Sequence, residues 1–144
     1  MPANINPIFT LTPETNSDAA SAFGGTISAS AADYTGISAN YVLVHTAGAD
    51  GSYVKRLRIK SLGANIAGVL RIFINNGGVN TTATNNVFYG EISLPSTSAT
   101  TTAATVDLDY PMEIQLDPGY RIFVGLGAAA STAGWRCVCI AAQY

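Results

Sequence analysis

Residues 53–75 read YVKRLRIKSLGANIAGVLRIFIN, and the alternation within them decides the fold class. Through residues 53–62 apolar and basic side chains take turns. Leu57 and Ile59 fall on one side and Arg56, Arg58 and Lys60 on the other. A period of two is that of a strand with one buried face, and it places Lys55 with Leu57 and Ile59 on the core side. Gly63, Ala64 and Asn65 turn the chain. Residues 66–75 then alternate again, with Gly68, Leu70, Ile72 and Ile74 on one face, and Asn76-Gly77-Gly78 ends the run. If the two strands pair as a hairpin, Arg71 lands near Arg56 on the outer face.

The same texture extends outward. Residues 40–46 (NYVLVHT) form a strand closed by the turn residues Asp50-Gly51. Residues 87–94 form another, stopped by Pro95, and residues 97–102 read as an exposed loop. Two short strands, 105–108 and 112–116, flank Tyr110-Pro111. Asp117-Pro118-Gly119 has the chemistry of a type II turn, with proline presetting one central position and glycine supplying the positive φ of the other. Residues 120–126 are then the return strand of that hairpin, and residues 134–143 (GWRCVCIAAQ) form a further strand.

Upstream, residues 26–30 make a weak strand, and residues 8–12 form a run bracketed by Pro7 and Pro13. Thr12-Pro13-Glu14 begins a short helical turn that Gly24-Gly25 ends. The expected architecture is all-β: a jelly-roll-like antiparallel β-sandwich of about eight strands. The chain's 144 residues suit one core. Residues 1–25 are read as an N-terminal arm and short irregular segment, and residues 26–144 as a single β-sandwich domain.

Composition narrows function. Only 11% of residues are charged, against about 25% in ordinary soluble domains. Thr, Ser, Asn, Ala and Gly take their place. A surface so poor in charge points to an assembly, because shared interfaces hide area that charge otherwise keeps soluble. The net charge of −2 gives no general attraction to nucleic acid. No apolar window is long enough to span a membrane. The N-terminal MPANINP has neither a basic nor an apolar signal region, so synthesis in the cytoplasm is expected.

Catalytic chemistry finds few residues to use. His45 is the single histidine, and metal or acid–base sites of the kind sandwiches build need partners for it. It reads as a strand-end histidine in a hydrogen bond or in solvent. Cys137 and Cys139 lie two apart on one strand, hence on one face. They are too close in register for an unstrained bridge and too few for zinc, and they read as small buried apolar side chains. Asp107 and Asp109 share a strand face, but no carboxylate spacing matches a hydrolase or a calcium loop. Most aromatics are expected in the core. The chain is therefore expected not to be an enzyme and to use no cofactor or metal.

All seven basic residues, Lys55, Arg56, Arg58, Lys60, Arg71, Arg121 and Arg136, fall in expected strands. Arg56, Arg58, Lys60 and Arg71 make one positive stripe. Such a stripe either is a solvated outer face that discourages edge pairing or docks carboxylates of a partner protein.

Four stretches also carry a resemblance. They are Asn4-Ile5-Asn6-Pro7-Ile8-Phe9-Thr10-Leu11-Thr12-Pro13, Thr46-Ala47-Gly48-Ala49-Asp50-Gly51-Ser52, Arg71-Ile72-Phe73-Ile74-Asn75-Asn76-Gly77 and Leu116-Asp117-Pro118-Gly119-Tyr120-Arg121-Ile122. In style and segment order the chain resembles the small β-sandwich virion proteins of tailed bacteriophages, of the head decoration or cement type. The resemblance implies a virion structural protein on the outer capsid surface, made in the host cytoplasm. Its partners are the major capsid protein and copies of itself, as dimer or trimer. It stabilises the shell by bridging capsomers. The arm, with Ile5, Ile8 and Phe9, and the stripe of Arg56, Arg58, Lys60 and Arg71 are the docking residues under that reading. The rival expectations are a tail-fibre or receptor-binding module and a carbohydrate-binding β-sandwich.

Overall fold

A computed structural model of the chain describes residues 12–14, by their backbone, together with residues 26–129 and 133–144. The strands are β1 (Thr12–Glu14), β2 (Thr26–Ile27), β3 (Val42–Thr46), β4 (Ser52–Ser61), β5 (Gly68–Asn75), β6 (Asn86–Leu94), β7 (Asp107–Leu116), β8 (Arg121–Leu126) and β9 (Trp135–Gln143). Among the described residues the only helical segment is a 3-10 turn at Ala83–Asn85, and no helix is long and apolar enough to cross a membrane. The protein is an all-β antiparallel sandwich. Sheet A has the order β1-β9-β4-β7, with β2 also on β9, and sheet B has the order β3-β8-β5-β6.

Alternation puts one phase of each strand into the space between the sheets. Leu57 and Ile59 from β4 and Trp135, Cys137 and Cys139 from β9 meet Leu70 and Ile72 from β5 and Ile122, Val124 and Leu126 from β8. All are buried. Burial of side chains of this size contributes about 1.5–3 kcal/mol each, so this slab holds the sheets together. Polar groups caught in it are satisfied. His45 Nε2 and the Ser52 hydroxyl are 2.7 Å apart, and Asn65 bonds Gly134 in both directions, its amide to the carbonyl at 2.9 Å and its carbonyl from the N–H at 2.8 Å.

Two expectations about pairing are corrected. Strands β4 and β5 are not a hairpin: they lie in different sheets, and residues 62–67 cross between them. Strands β7 and β8 are not a hairpin either, although the turn between them forms as read. Gly119 has a φ of +76° and the Tyr120 N–H donates to the Asp117 carbonyl at 3.1 Å. The turn carries the chain from sheet A to sheet B. Among the strands from β3 onward, the consecutive pair that does join within one sheet is β5 and β6.

Two local readings also change. Tyr110-Pro111 does not divide two short strands, because β7 runs unbroken from Asp107 to Leu116. It is an edge strand, where a residue without an N–H costs no ladder bond. Past the proline, β7 slips against β4 in a bulge at which Glu113 takes a positive φ of 51°. Thr12-Pro13-Glu14 is extended, not helical, and pairs with Ala141, Ala142 and Gln143 of β9. The remainder of residues 1–25, including Ile5, Ile8 and Phe9 and the run at 8–12, lies outside the described residues.

Candidate docking surface

Of the residues read as a stripe, Arg56, Arg58 and Lys60 occupy the outer face of sheet A. A bulge in β4 against β9 falls at Lys55, between Val54 and Arg56. Val54 is buried, Lys55 and Arg56 both turn outward, and Leu57 returns to the core. Lys55 is therefore exposed rather than core-facing, because the extra residue resets the alternation.

Arg71 belongs to neither face of sheet A. It sits on β5, on the outer side of sheet B, with its side chain only 11% exposed. Its guanidinium lies 3.9 Å from the centroid of the Tyr34 ring, Nη1 donates to the Ala32 carbonyl at 2.5 Å, and Nε stands 3.7 Å from the Glu91 carboxylate. The reason is a covering segment. Residues 28–41 lie over sheet B and bury a second apolar cluster of Ala31, Tyr41, Phe73 and Phe123. Tyr41 pins the segment, its hydroxyl donating to the carbonyls of Ala31 (3.0 Å) and Asp33 (2.5 Å). Burial, with the Asp33 charge nearby, pushes that hydroxyl up to about 12. Asp33 closes the turn by accepting from the N–H groups of Thr35 and Gly36. Burial works to raise the Asp33 carboxyl, but these bonds and the Thr35 hydroxyl outweigh it and hold the group below its usual range.

The remaining stripe is real but partly neutralised. On sheet A, β4 runs between β7 and β9. Its Lys60, Arg58 and Arg56 face Asp107, Asp109 and Pro111 on one side and Arg136, Val138 and Ile140 on the other. The two arginine ion pairs run diagonally and the lysine one directly across. Arg56 Nη1 meets Asp109 at 3.3 Å, Arg58 Nε donates to Asp107 Oδ1 at 3.0 Å while its Nη2 reaches Oδ2, and Lys60 stands 4.0 Å from the same Asp107. The Arg58 hydrogen bond holds Asp107 below the usual carboxylate range, and Asp107 in turn raises Arg58. Asp107 and Asp109 thus share a face, as the sequence indicates, and serve as counter-ions there.

On this face Arg56, Arg58 and Lys60 pair with Asp107 and Asp109, and Lys55 and Arg136 are further cations beside them. Arg136 has no ion-pair partner among the described residues. Beside the cations lies a groove of about 550 Å³ lined by Arg58, Lys60, Leu62, Arg136, Val138 and Ile140. Its floor is apolar and its rim is basic. Arg136, Val138, Ile140 and Leu62 were not singled out from the sequence as site residues. Their signal is in the β9 run, where Trp135, Cys137, Cys139 and Ala141 already fill the core phase while Val138 and Ile140 add apolar groups to the solvent phase. A half-solvated strand does not need both.

The other candidate groups are structural. His45 is buried and hydrogen-bonded. Cys137 and Cys139 are thiols buried on the core face, and burial, with Cys139 nearby, pushes the Cys137 thiol far up. Among the described residues no three His, Cys, Asp or Glu side chains group to hold a metal. Comparison with protein-family models, curated proteins and solved structures returns no match for this chain.

Proposed function

We propose that this chain is a virion structural protein, a capsid decoration or cement protein of the tailed-bacteriophage type that binds the outer capsid surface. The observation that carries the reading is the outer face of sheet A, a basic-rimmed apolar groove that no described residue covers. The fold supports it by analogy alone: an antiparallel sandwich with the orders β1/β2-β9-β4-β7 and β3-β8-β5-β6 is compatible with a jelly roll, an architecture common among viral shell proteins and also used by lectins. On this reading the protein acts without catalysis. It docks to the major capsid protein and to copies of itself through Arg56, Arg58, Lys60 and the groove, with Ile5, Ile8 and Phe9 extending the contact. It stabilises the shell by mass action, because it binds the assembled form and not loose subunits. Arg71 drops out of the docking set, being committed to its own fold.

Quantitative composition of purified particles, with imaging to locate the chain, tests the reading. Many regularly placed copies on the head are expected. A few copies at the tail would shift the assignment to adhesion, and absence from particles would end it. The second reading, a sugar-binding module, is favoured by Tyr34, which is 57% exposed beside the partly exposed Phe88. Those two rings stand at 85°, so they offer one stacking surface rather than a flat row. Binding on a glycan array that is lost in Tyr34→Ala would support it.

A further inference from the structure

Lys60 and Arg136 are direct cross-strand partners on the outer face of sheet A. Like charges opposite each other in a sheet are destabilising, and an anion seated between them relieves the repulsion. Among the described residues the carboxylate in reach of Lys60 is Asp107, at 4.0 Å and already engaged by both Nε and Nη2 of Arg58. It lies on β7, on the far side of β4 from Arg136. Within the groove the like-charged pair lies between Leu62 on one side and Val138 and Ile140 on the other, the latter two continuing along β9 as an apolar floor.

We infer that the groove is a binding site for a short acidic segment of a partner protein, with a carboxylate seated between Lys60 and Arg136 and an apolar side chain on Val138 and Ile140. The two halves of the site select together. The cation pair gains most from a full negative charge, which removes its mutual repulsion and forms charge-assisted hydrogen bonds. The floor gains from covering aliphatic surface. From Arg136 to Ile140 the strand advances about 13 Å, so the occupant is an extended stretch of about five residues. Nucleic acid fits less well, because its regularly spaced charges bring no aliphatic group to the floor and the body of the protein is net negative. The inference rests on the reading of this face as a docking surface and names the chemistry it accepts.

The test uses the full chain and a labelled eight-residue peptide alternating Glu with Val and Leu, followed by fluorescence anisotropy. A copy with every Glu replaced by Gln and a single-stranded oligonucleotide serve as comparison probes. The expected result is that the Glu peptide binds, that raising salt weakens it, and that the Gln copy binds at least tenfold more weakly. Arg136→Gln and Val138→Asn should each weaken the Glu peptide at least tenfold, while Lys55→Gln, on the same strand as Lys60 but outside the groove, leaves it unchanged. Arg136→Gln should also melt no lower than the parent, since it relieves a repulsion. The inference is overturned if the Gln copy binds as well as the Glu peptide, if Arg136→Gln binds normally or unfolds the protein, or if the oligonucleotide displaces the peptide. Particle composition is read separately. Peptide binding by a chain absent from virions keeps this site and ends the virion reading, and a virion protein that ignores the peptide does the reverse.

Discussion

The outer face of sheet B and the outer face of sheet A are built from strands with the same alternation, and they meet different fates. On sheet B, residues 28–41 fold over the face, bury Phe73 and Phe123, and draw Arg71 into a cation–π contact with Tyr34. On sheet A no described residue covers Val138 and Ile140, and Arg58 remains half exposed beside Asp107. An arginine in the solvent phase of a strand is thus a structural pin in one place and part of a candidate docking surface in the other. What decides is a segment far from the strand in sequence. The contrast also separates stability from function, because a covered face resists mutation poorly in terms of folding and an uncovered one does so in terms of binding.

Four measurements break or sharpen that contrast. Phe73→Ala removes a fully buried ring from the covered face and should cost about 3–5 kcal/mol in denaturant unfolding, whereas Val138→Asn on the open face should leave the unfolding midpoint nearly unchanged. A similar midpoint for both variants would erase the distinction. Next, Arg71→Met should cost about 2 kcal/mol through the lost bond to Ala32 and the lost stacking on Tyr34. Arg58→Met, exposed and screened, should not shift the melt measurably, and an equal loss in both would make the two arginines equivalent.

Acid should act first on the cover. The folded Asp33 carboxyl is held below its unfolded value, so its contribution is present in full above about pH 4 and is lost as pH falls through the lowered folded value. The protection of the amides in residues 33–37, measured against their intrinsic exchange at each pH, should therefore fall in that window, and Asp33→Asn should flatten the dependence. The smallest effect is a null one on the native protein. Cys137 and Cys139 should stay unreactive to a thiol reagent until denaturant opens the core, and reaction at the global unfolding rate is the expected kinetics.

Much of the fold is legible in the chain because period-two alternation reports which side of a strand is buried. Leu57, Ile59, Leu70 and Ile72 all lie in the core as their phase requires. Alternation does not report neighbours. It cannot distinguish β4 next to β5 from β4 between β7 and β9, and the misplaced Arg71 follows directly from that. It also fails at a bulge, where one added residue at Lys55 reverses the phase with no mark in the sequence. Proline at 111 looks like a strand end because its harmlessness depends on β7 being an edge, which is a property of the assembled sheet. The basic half of the candidate site was visible in Arg56, Arg58 and Lys60. Its apolar half is obscured because β9 is apolar in both phases, so neither phase marks itself as the exposed one.

The position of β9 has a consequence for how the chain comes to be folded in a cell. It follows every other strand in chain order, yet it lies inside sheet A, bonded to β4 on one side and to β1 and β2 on the other. On a ribosome, β4 emerges long before the strand that separates it from β1. Until residue 143 clears the exit tunnel, β4 presents an unpaired flank and the two short N-terminal strands have nothing to lie against. Until β9 emerges the nascent sheet is therefore incomplete and its unpaired strand edge is open to association with neighbouring chains. Closing the sheet is a single late event, and a chain terminated before Trp135 lacks the strand on which that event depends.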